Sequence, residues 1–293
     1  MTVKVGLVTV LFNSADVLPG FFESLSRQDL KNYCLYIIDN SLDDLSYNTS
    51  IQLIEQYGMK NVTLIKNSDN VGVAKGNNQG IQLSLENNCE YVLLLNNDIE
   101  FDDSALISKM LALAKNHNEK LIVPKIYFFD SGNIWCAGGD ISNWKGTTTH
   151  RGEGEPDRGQ YDTDGHVNYA PTCFMLIHKS VFEKIGVMDE KYFVYYDDTD
   201  FVWRANHSGF GIYYWAAGEV KHKVSSSTGG SGSTFTTYYA QRNRLYFIRK
   251  NFGFSMKIIS LTYYFLTRLF KFDFFSKKMR GPFFSAIKDG LKM

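Results

Sequence analysis

Over its first 126 residues the chain alternates short runs that are apolar throughout with segments of helical spacing. Val5 to Leu11, Leu35 to Ile38, Val62 to Lys66, Tyr91 to Leu95 and Leu121 to Ile126 are the apolar, β-branched runs. Between them lie Asp16 to Gln28, Tyr47 to Tyr57, Val73 to Glu86 and Asp103 to Lys115, which read as helices. A strand that is apolar at every position is buried on both faces, as it is in a parallel sheet covered by helices. The expected class is therefore α/β, with a parallel sheet flanked by helices. In such sheets ligands bind beyond the carboxyl ends of the strands, so the polar cluster after each run is the place to look for chemistry.

The pattern changes after residue 126. Residues 130 to 168 are rich in Gly, Asp and Thr, carry Trp135 and Trp144, and read as excursion loops or a short hairpin. An apolar strand returns at Pro171 to His178, followed by helices at Ser180 to Ile185 and Phe201 to Ser208 and a strand at Ile212 to Ala216. Gly218 to Thr234 reads as a loop, and its Ser225 to Ser233 run suits either a linker or a loop that orders over substrate.

With 44% hydrophobic residues and four cysteines among 293 residues, the composition excludes disordered, collagen-like and disulfide-scaffold classes. No CxxC pair or zinc-ligand spacing is present, and free thiols in a reducing cytosol are expected. The start of the chain runs straight into a strand-like stretch without the pattern of a signal peptide, so a cytoplasmic location is expected. The formal net charge of zero hides an asymmetry: residues 249 to 293 hold ten Lys/Arg and two Asp/Glu, so the tail is +8 and the remainder −8. Lys257, Arg268, Lys271 and Asp273 interrupt the apolar stretch from Phe252 to Phe275, which argues against a spanning helix. A basic, aromatic segment of this kind suits the surface of an anionic membrane, and equally a helix pair packed on the domain with a solvated basic face.

Several clusters carry candidate chemistry. Asp39, ending the second run, can accept from a nucleotide base or ribose, or serve a turn. The stretch Asn70 to Gly80 contains Lys75 and Asn77, with glycines that suit either close backbone approach to a phosphate-bearing ligand or the start of a helix. Asn96-Asn97-Asp98 follows a buried strand and delivers a hard oxygen ligand, Asp98, suited to Mg²⁺ or Mn²⁺ bridging two phosphates. Asp197, Asp198 and Asp200 crowd three carboxylates into four residues; the first two are candidate bases, while Asp200 suits capping or pairing with Arg204 at i,i+4. His222 can complete a metal site begun by Asp98, and Arg242, on a helix-like segment, can clamp phosphate.

Taken in order, Val8 to Asn13, Ile38 to Ser41, Asn70 to Gly80, Asn96 to Asp98, Asp197 to Asp200, His222 and Arg242-Asn243 resemble the family 2 glycosyltransferases, especially the rhamnosyltransferase and galactofuranosyltransferase branch that builds bacterial surface polysaccharides. The resemblance covers about residues 3 to 250. It implies a GT-A fold over residues 1 to 250, a mixed, mostly parallel sheet flanked by helices, with a nucleotide-sugar-binding half to residue 126 and an acceptor half from 127, followed by a helical segment at 251 to 293. It implies that Thr9, Leu11, Asn13 and Asp39 hold base and ribose, that Asn70, Lys75, Asn77, Asn97 and Arg242 complete the donor site, and that Asp98 and His222 ligate Mn²⁺ or Mg²⁺. Asp198, or its neighbour Asp197, would be the base in an inverting displacement. One departure stands out: the family's DxD element reads Asn96-Asn97-Asp98, with an amide in place of its first carboxylate.

The branch favours dTDP-rhamnose as donor, then UDP-galactofuranose, and an acceptor glycan, lipid-linked at the inner face of the cell membrane, as in O-antigen or capsule synthesis. No nucleic-acid partner is expected. Two alternatives remain at this point. A sugar nucleotidyltransferase would be expected to carry a basic, Gly-rich loop after its first strand, where this chain has Phe12-Asn13-Ser14-Ala15-Asp16. A non-catalytic carbohydrate- or nucleotide-binding module would not need acids at two separate strand ends.

Overall fold

The computed structural model describes residues 3–224, 233–271 and 277–293. The strands are β1 (Val5–Leu11), β2 (Tyr33–Asp39), β3 (Val62–Lys66), β4 (Tyr91–Leu95), β5 (Ile99–Glu100), β6 (Leu121–Phe128), β7 (Ile134–Cys136), β8 (Gly139–Ile141), β9 (Thr148–His150), β10 (Gly165–Val167), β11 (Phe174–His178) and β12 (Ile212–His222). The helices are α1 (Leu18–Ser26), α2 (Leu45–Gln56), α3 (Val73–Glu86), α4 (Leu106–His117), α5 (Lys179–Ile185), α6 (Asp197–His207), α7 (Thr234–Asn251), α8 (Phe254–Lys271) and α9 (Lys277–Lys292).

One sheet runs in the order β10-β12-β6-β11-β4-β1-β2-β3, with β5 on β12 and β7 on β6. β3, β2, β1 and β4 are parallel neighbours, whereas β11 lies antiparallel between β4 and β6. The sheet is mixed and mostly parallel, as the resemblance implies. Successive residues of β1 go to opposite faces: Val8 joins the core beneath α3, α6 and α7, while Leu7 and Leu11 join the core beneath α1 and α4. That two-sided burial is why β1, β2 and β4 carry almost no polar side chain before their ends.

Three differences from the sequence reading bear on the site. β12 continues past Ala216 to His222, with a register irregularity between Trp215 and Glu219 that lets it pair with both β6 and β5. α6 begins at Asp197 rather than Phe201, so all three acids lie in its first turn. Residues 130 to 168 form the β8–β9 hairpin together with β7 and β10 on the main sheet, more order than loops alone. Ser225 to Gly232, read above as a linker or covering loop, lies outside the described residues. Among the described residues all four cysteines are free, and no helix is long and apolar enough to cross a membrane.

Candidate active site

β4 is buried at all five positions, and its burial stops at Asn96. There the chain turns: Asn96 N donates to Cys173 O at 2.8 Å, and Ile99 N donates to Asn96 O. Asn97 Nδ2 donates to Val10 O at 2.7 Å, tying this turn to the end of β1. β5 follows at once and pairs antiparallel with the end of β12, which sets His222 opposite Ile99. Lys223 N, one residue on, donates to Asp98 O at 2.9 Å. Strand register thus brings Asp98 Oδ1 within 3.2 Å of His222 Nε2, with both side chains nearly buried. Trp135 packs edge-on against His222 with ring centres 4.5 Å apart, and His222 Nδ1 is buried without a hydrogen-bond partner. One carboxylate and one imidazole at this spacing fit a divalent cation that takes its remaining ligands from phosphate and water. Among the described residues no cluster of three or more His, Cys, Asp or Glu forms a closed protein cage.

The two candidate bases enter the same cavity of about 530 Å³ from the other side. They are delivered by an unusual turn, in which Phe193, Tyr195 and Tyr196 all adopt positive φ, at 60°, 62° and 66°. Bulky L-residues avoid this region, so the surroundings must hold the turn in place. The amide of Asn243, fully buried on α7, donates to the carbonyls of Tyr192, Val194 and Tyr195 at 2.7 to 2.8 Å. From the far side, Val73 N donates to Phe193 O at 2.6 Å, and a side chain on Gly72 (φ 87°) would collide with the Phe193 backbone. α6 starts directly after this turn.

The neighbouring acids meet different surroundings. Asp197 is buried, and desolvation, reinforced by the charge of Asp198, pushes its carboxyl up to about 8. Asp198 is less buried and acts as a hydrogen-bond acceptor: Tyr169 OH donates to Oδ2 at 2.6 Å, and Thr199 N and Oγ1 donate to Oδ1 at 2.6 and 3.2 Å. Asp200 faces inward and is bound by Arg204, Lys250, Asn251 and Tyr192, the structural role that its spacing to Arg204 suggests.

Of the other residues singled out from sequence, Asn70, Asn77 and Asn97 line the cavity. Asp39 is fully buried beside it, its Oδ1 accepting from Ser41 N at 2.9 Å and its Oδ2 facing Lys66 Nζ at 3.4 Å. Thr9 and Leu11 are buried in β1, where Thr9 Oγ1 has no hydrogen-bond partner, and Asn13 takes positive φ in the following turn. Lys75 points to solvent on α3. Arg242 does not reach the cavity wall: its guanidinium donates to the carbonyls of Lys191 and Tyr192 and lies 4.7 Å from the centre of the Tyr239 ring. The glycines of α3 serve packing rather than ligand approach, since side chains at Gly76 and Gly80 would strike Val10 and Val8 of β1. Sequence reasoning missed Trp135, His150 and Tyr169, which build an aromatic wall between the two acidic corners. Trp135 stood out only as a tryptophan in a polar stretch, and His150 and Tyr169 carry no periodic signal.

The family model for glycosyl transferase family 2 matches residues 7–186. The chain belongs to this family. It is 28% identical over 251 residues, 81% of this chain and 76% of the other, to the low-salt glycan biosynthesis hexosyltransferase Agl10 of Haloferax volcanii. It is 26% identical over 200 residues to the dTDP-rhamnosyl transferase RfbF of Shigella flexneri, a match covering 66% of this chain and 65% of RfbF. In structure it is similar to TarS residues 1–349 of S. aureus in complex with UDP, with a TM-score of 0.64 at 15% identity over 99% of this chain and 80% of that one. It is also similar to the mannosyltransferase PcManGT of Pyrobaculum calidifontis in complex with GDP-Man and Mn²⁺, with a TM-score of 0.60 at 10% identity over 98% and 86% of the two chains. At these identities the structural likeness is one of fold, and that fold is GT-A. Membership makes this family 2 chain a glycosyltransferase that uses a nucleotide sugar, and sets aside the nucleotidyltransferase and non-catalytic readings.

Proposed function

We propose that the protein transfers a hexosyl group with inversion from a nucleoside-diphosphate sugar, dTDP-rhamnose before UDP-galactofuranose, to a growing glycan that is lipid-linked at the inner face of the cell membrane. The observation that carries this reading is the opposition, across one cavity, of Asp98 with His222 and of Asp198 held by Tyr169. Residues 1 to 126 supply the donor half and residues 127 to 250 the acceptor half. The likeness to RfbF supports rhamnose as the sugar.

Asp198 is the base. The acceptor hydroxyl oxygen attacks the anomeric carbon on the face opposite the diphosphate, and Asp198 takes its proton as the bond forms. The bond from that carbon to the diphosphate oxygen breaks, and its electron pair leaves with the nucleoside diphosphate. Only one base is needed, unlike the carboxylate pair of a glycoside hydrolase. Asp197, kept protonated at neutral pH by burial, puts no second negative charge beside Asp198. Asp98 and His222 would hold Mn²⁺ or Mg²⁺, which when bound supplies positive charge against the departing diphosphate. With Asn96 in place of a carboxylate, this corner carries less negative charge than a two-acid element. The aromatic wall of Trp135, His150 and Tyr169 offers ring faces to a sugar and excludes water.

The test is thermal stability with dTDP, UDP and GDP and their sugars, each with Mn²⁺, Mg²⁺ or chelator. A ligand of the folded state at 100 times its Kd adds about 2.7 kcal/mol of stability. A metal-dependent rise, largest for a dTDP ligand, is expected. A rise indifferent to metal would remove Asp98 and His222 as ligands, and no rise with any nucleotide would overturn the reading of this cavity as the donor site.

A further inference from the structure

Helix α8 leaves more apolar side chains outside than a helix that only closes a domain. Its two fully buried side chains, Ser260 and Tyr264, end in hydroxyls, Ser260 Oγ donating to Trp144 O at 2.6 Å and Tyr264 OH to Gln241 Oε1 at 2.9 Å, and Leu261 packs part-buried against the core. Arg268 Nη2 joins the same Gln241 oxygen at 3.1 Å. The positions it turns outward are apolar: Phe254 is 81% exposed, Ile258, Ile259 and Leu266 about half exposed, and Phe265 37%. Residues 258, 259, 262, 265 and 266 recur three and four apart, so Ile258, Ile259, Phe265 and Leu266 form one stripe along the helix. A folded chain that buries hydroxyls and leaves such a stripe in water has an apolar partner for it.

Charge selects the partner. Residues 249 to 293 carry ten Lys/Arg against two Asp/Glu, and α9 exposes Lys277, Lys288 and Lys292 around Phe284 and Leu291. A second copy docked through this same face would set the exposed Lys277, Lys288 and Lys292 of one copy against those of the other. An anionic lipid surface instead takes apolar side chains at the acyl boundary and lysines at the headgroup phosphates. We propose that the outer face of α8, with the exposed lysines and apolar side chains of α9, is a docking surface for an anionic lipid bilayer, on which α8 lies in the plane of the interface. This deepens the reading of a membrane-bound acceptor, yet it rests on the tail alone, and its binding measurement needs neither donor nor acceptor.

The experiment is co-sedimentation of the full chain with phosphatidylcholine vesicles, with and without phosphatidylglycerol, at low and high salt. Binding to the anionic vesicles that weakens with salt is expected. Ile258→Ser with Phe265→Ser should lower the partition coefficient more than tenfold, and Lys288→Gln and Lys292→Gln by about fivefold each. Each variant should keep the nucleotide-induced rise in melting temperature of the parent, which separates lost docking from lost fold or donor site. No binding to anionic vesicles, equal binding to neutral ones, or binding untouched by the α8 replacements would overturn the proposal. So would a concentration-dependent dimer that those replacements dissolve, since the face would then be an interface between copies.

Discussion

Asp197 and Asp198 are adjacent in sequence and opposite in circumstance. Burial holds the Asp197 carboxyl up at about 8, whereas Asp198 accepts from Tyr169 and Thr199 at the cavity wall. Asp198→Asn should therefore fold with a near-parental melting temperature, bind nucleotide, and lose about 10² to 10⁴ in turnover, the usual worth of a positioned base. Asp197→Asn replaces an already neutral group and should keep most turnover. It should also change the pH dependence of stability. With a raised pKa in the folded state, Asp197 binds a proton that the unfolded chain releases near pH 4, so the parent loses stability as pH rises from about 4 to about 8. Urea denaturation across that window should show the decline in the parent and its removal in Asp197→Asn. If Asp197→Asn abolished turnover as fully as Asp198→Asn, the assignment of the base would fail. The sequence offered both acids and could not rank them, because the Tyr169 hydroxyl that binds Asp198 comes from 29 residues away.

At the scale of elements, the turn from Tyr192 to Tyr196 decides where those acids point. Three bulky residues at positive φ cost about 1 to 3 kcal/mol each, and Asn243 is the group whose three hydrogen bonds offset that strain. Asn243→Ala removes the side-chain donor from the Val194 and Tyr195 carbonyls, while Arg242 still serves Tyr192 O, and should destabilise the protein by about 1 to 3 kcal/mol, measured by urea denaturation. Because the turn aims α6 at the cavity, the same change should lower kcat more than it raises KM for the donor. A loss of stability with kcat intact would make Asn243 structural only. Elements and their order were legible in sequence because buried strands and amphipathic helices follow from local apolar spacing. Strand register and backbone sign were not: nothing near Asp98 announces that β5 pairs with β12 to bring His222 beside it, and nothing near Tyr195 announces φ of 62°. The Arg242-Asn243 pair was visible as a motif, but its partners are carbonyls of the strained turn, a function that sequence spacing does not encode.

Across the whole molecule, the segment from β7 to β10 carries Trp135 and His150 to the cavity, and its far end must be fastened to the sheet. The fastening is Lys125, 1% exposed on β6, which pairs with Asp157 at 2.8 Å and with Asp162, while Tyr127 OH donates to Asp157 at 2.5 Å. Hydrogen bonds from Lys125, then from Tyr127, hold the Asp157 carboxyl down at about 2. Burial alone would lower the Lys125 ammonium, but its bonds to Asp157 and Asp162 outweigh burial and raise it above its ordinary value. The signs fix a window. The contribution of Asp157 is fully present above its unfolded pKa near 4 and is lost as pH falls through about 2, while that of Lys125 is present up to its ordinary pKa and is lost only beyond its raised one. Limited proteolysis between residues 153 and 164 should therefore be slow from about pH 4 to 10, and hydrogen exchange in that segment should accelerate below pH 4. Asp157→Asn removes the charge while keeping the shape, leaving Lys125 with Asp162 alone, and should open the segment at neutral pH. Since the aromatic wall rides on the same segment, the variant should also raise KM for the acceptor more than for the donor. Proteolysis and KM unchanged in Asp157→Asn would show that the segment is held by its strand pairing with β6 and β12 and not by this buried lysine.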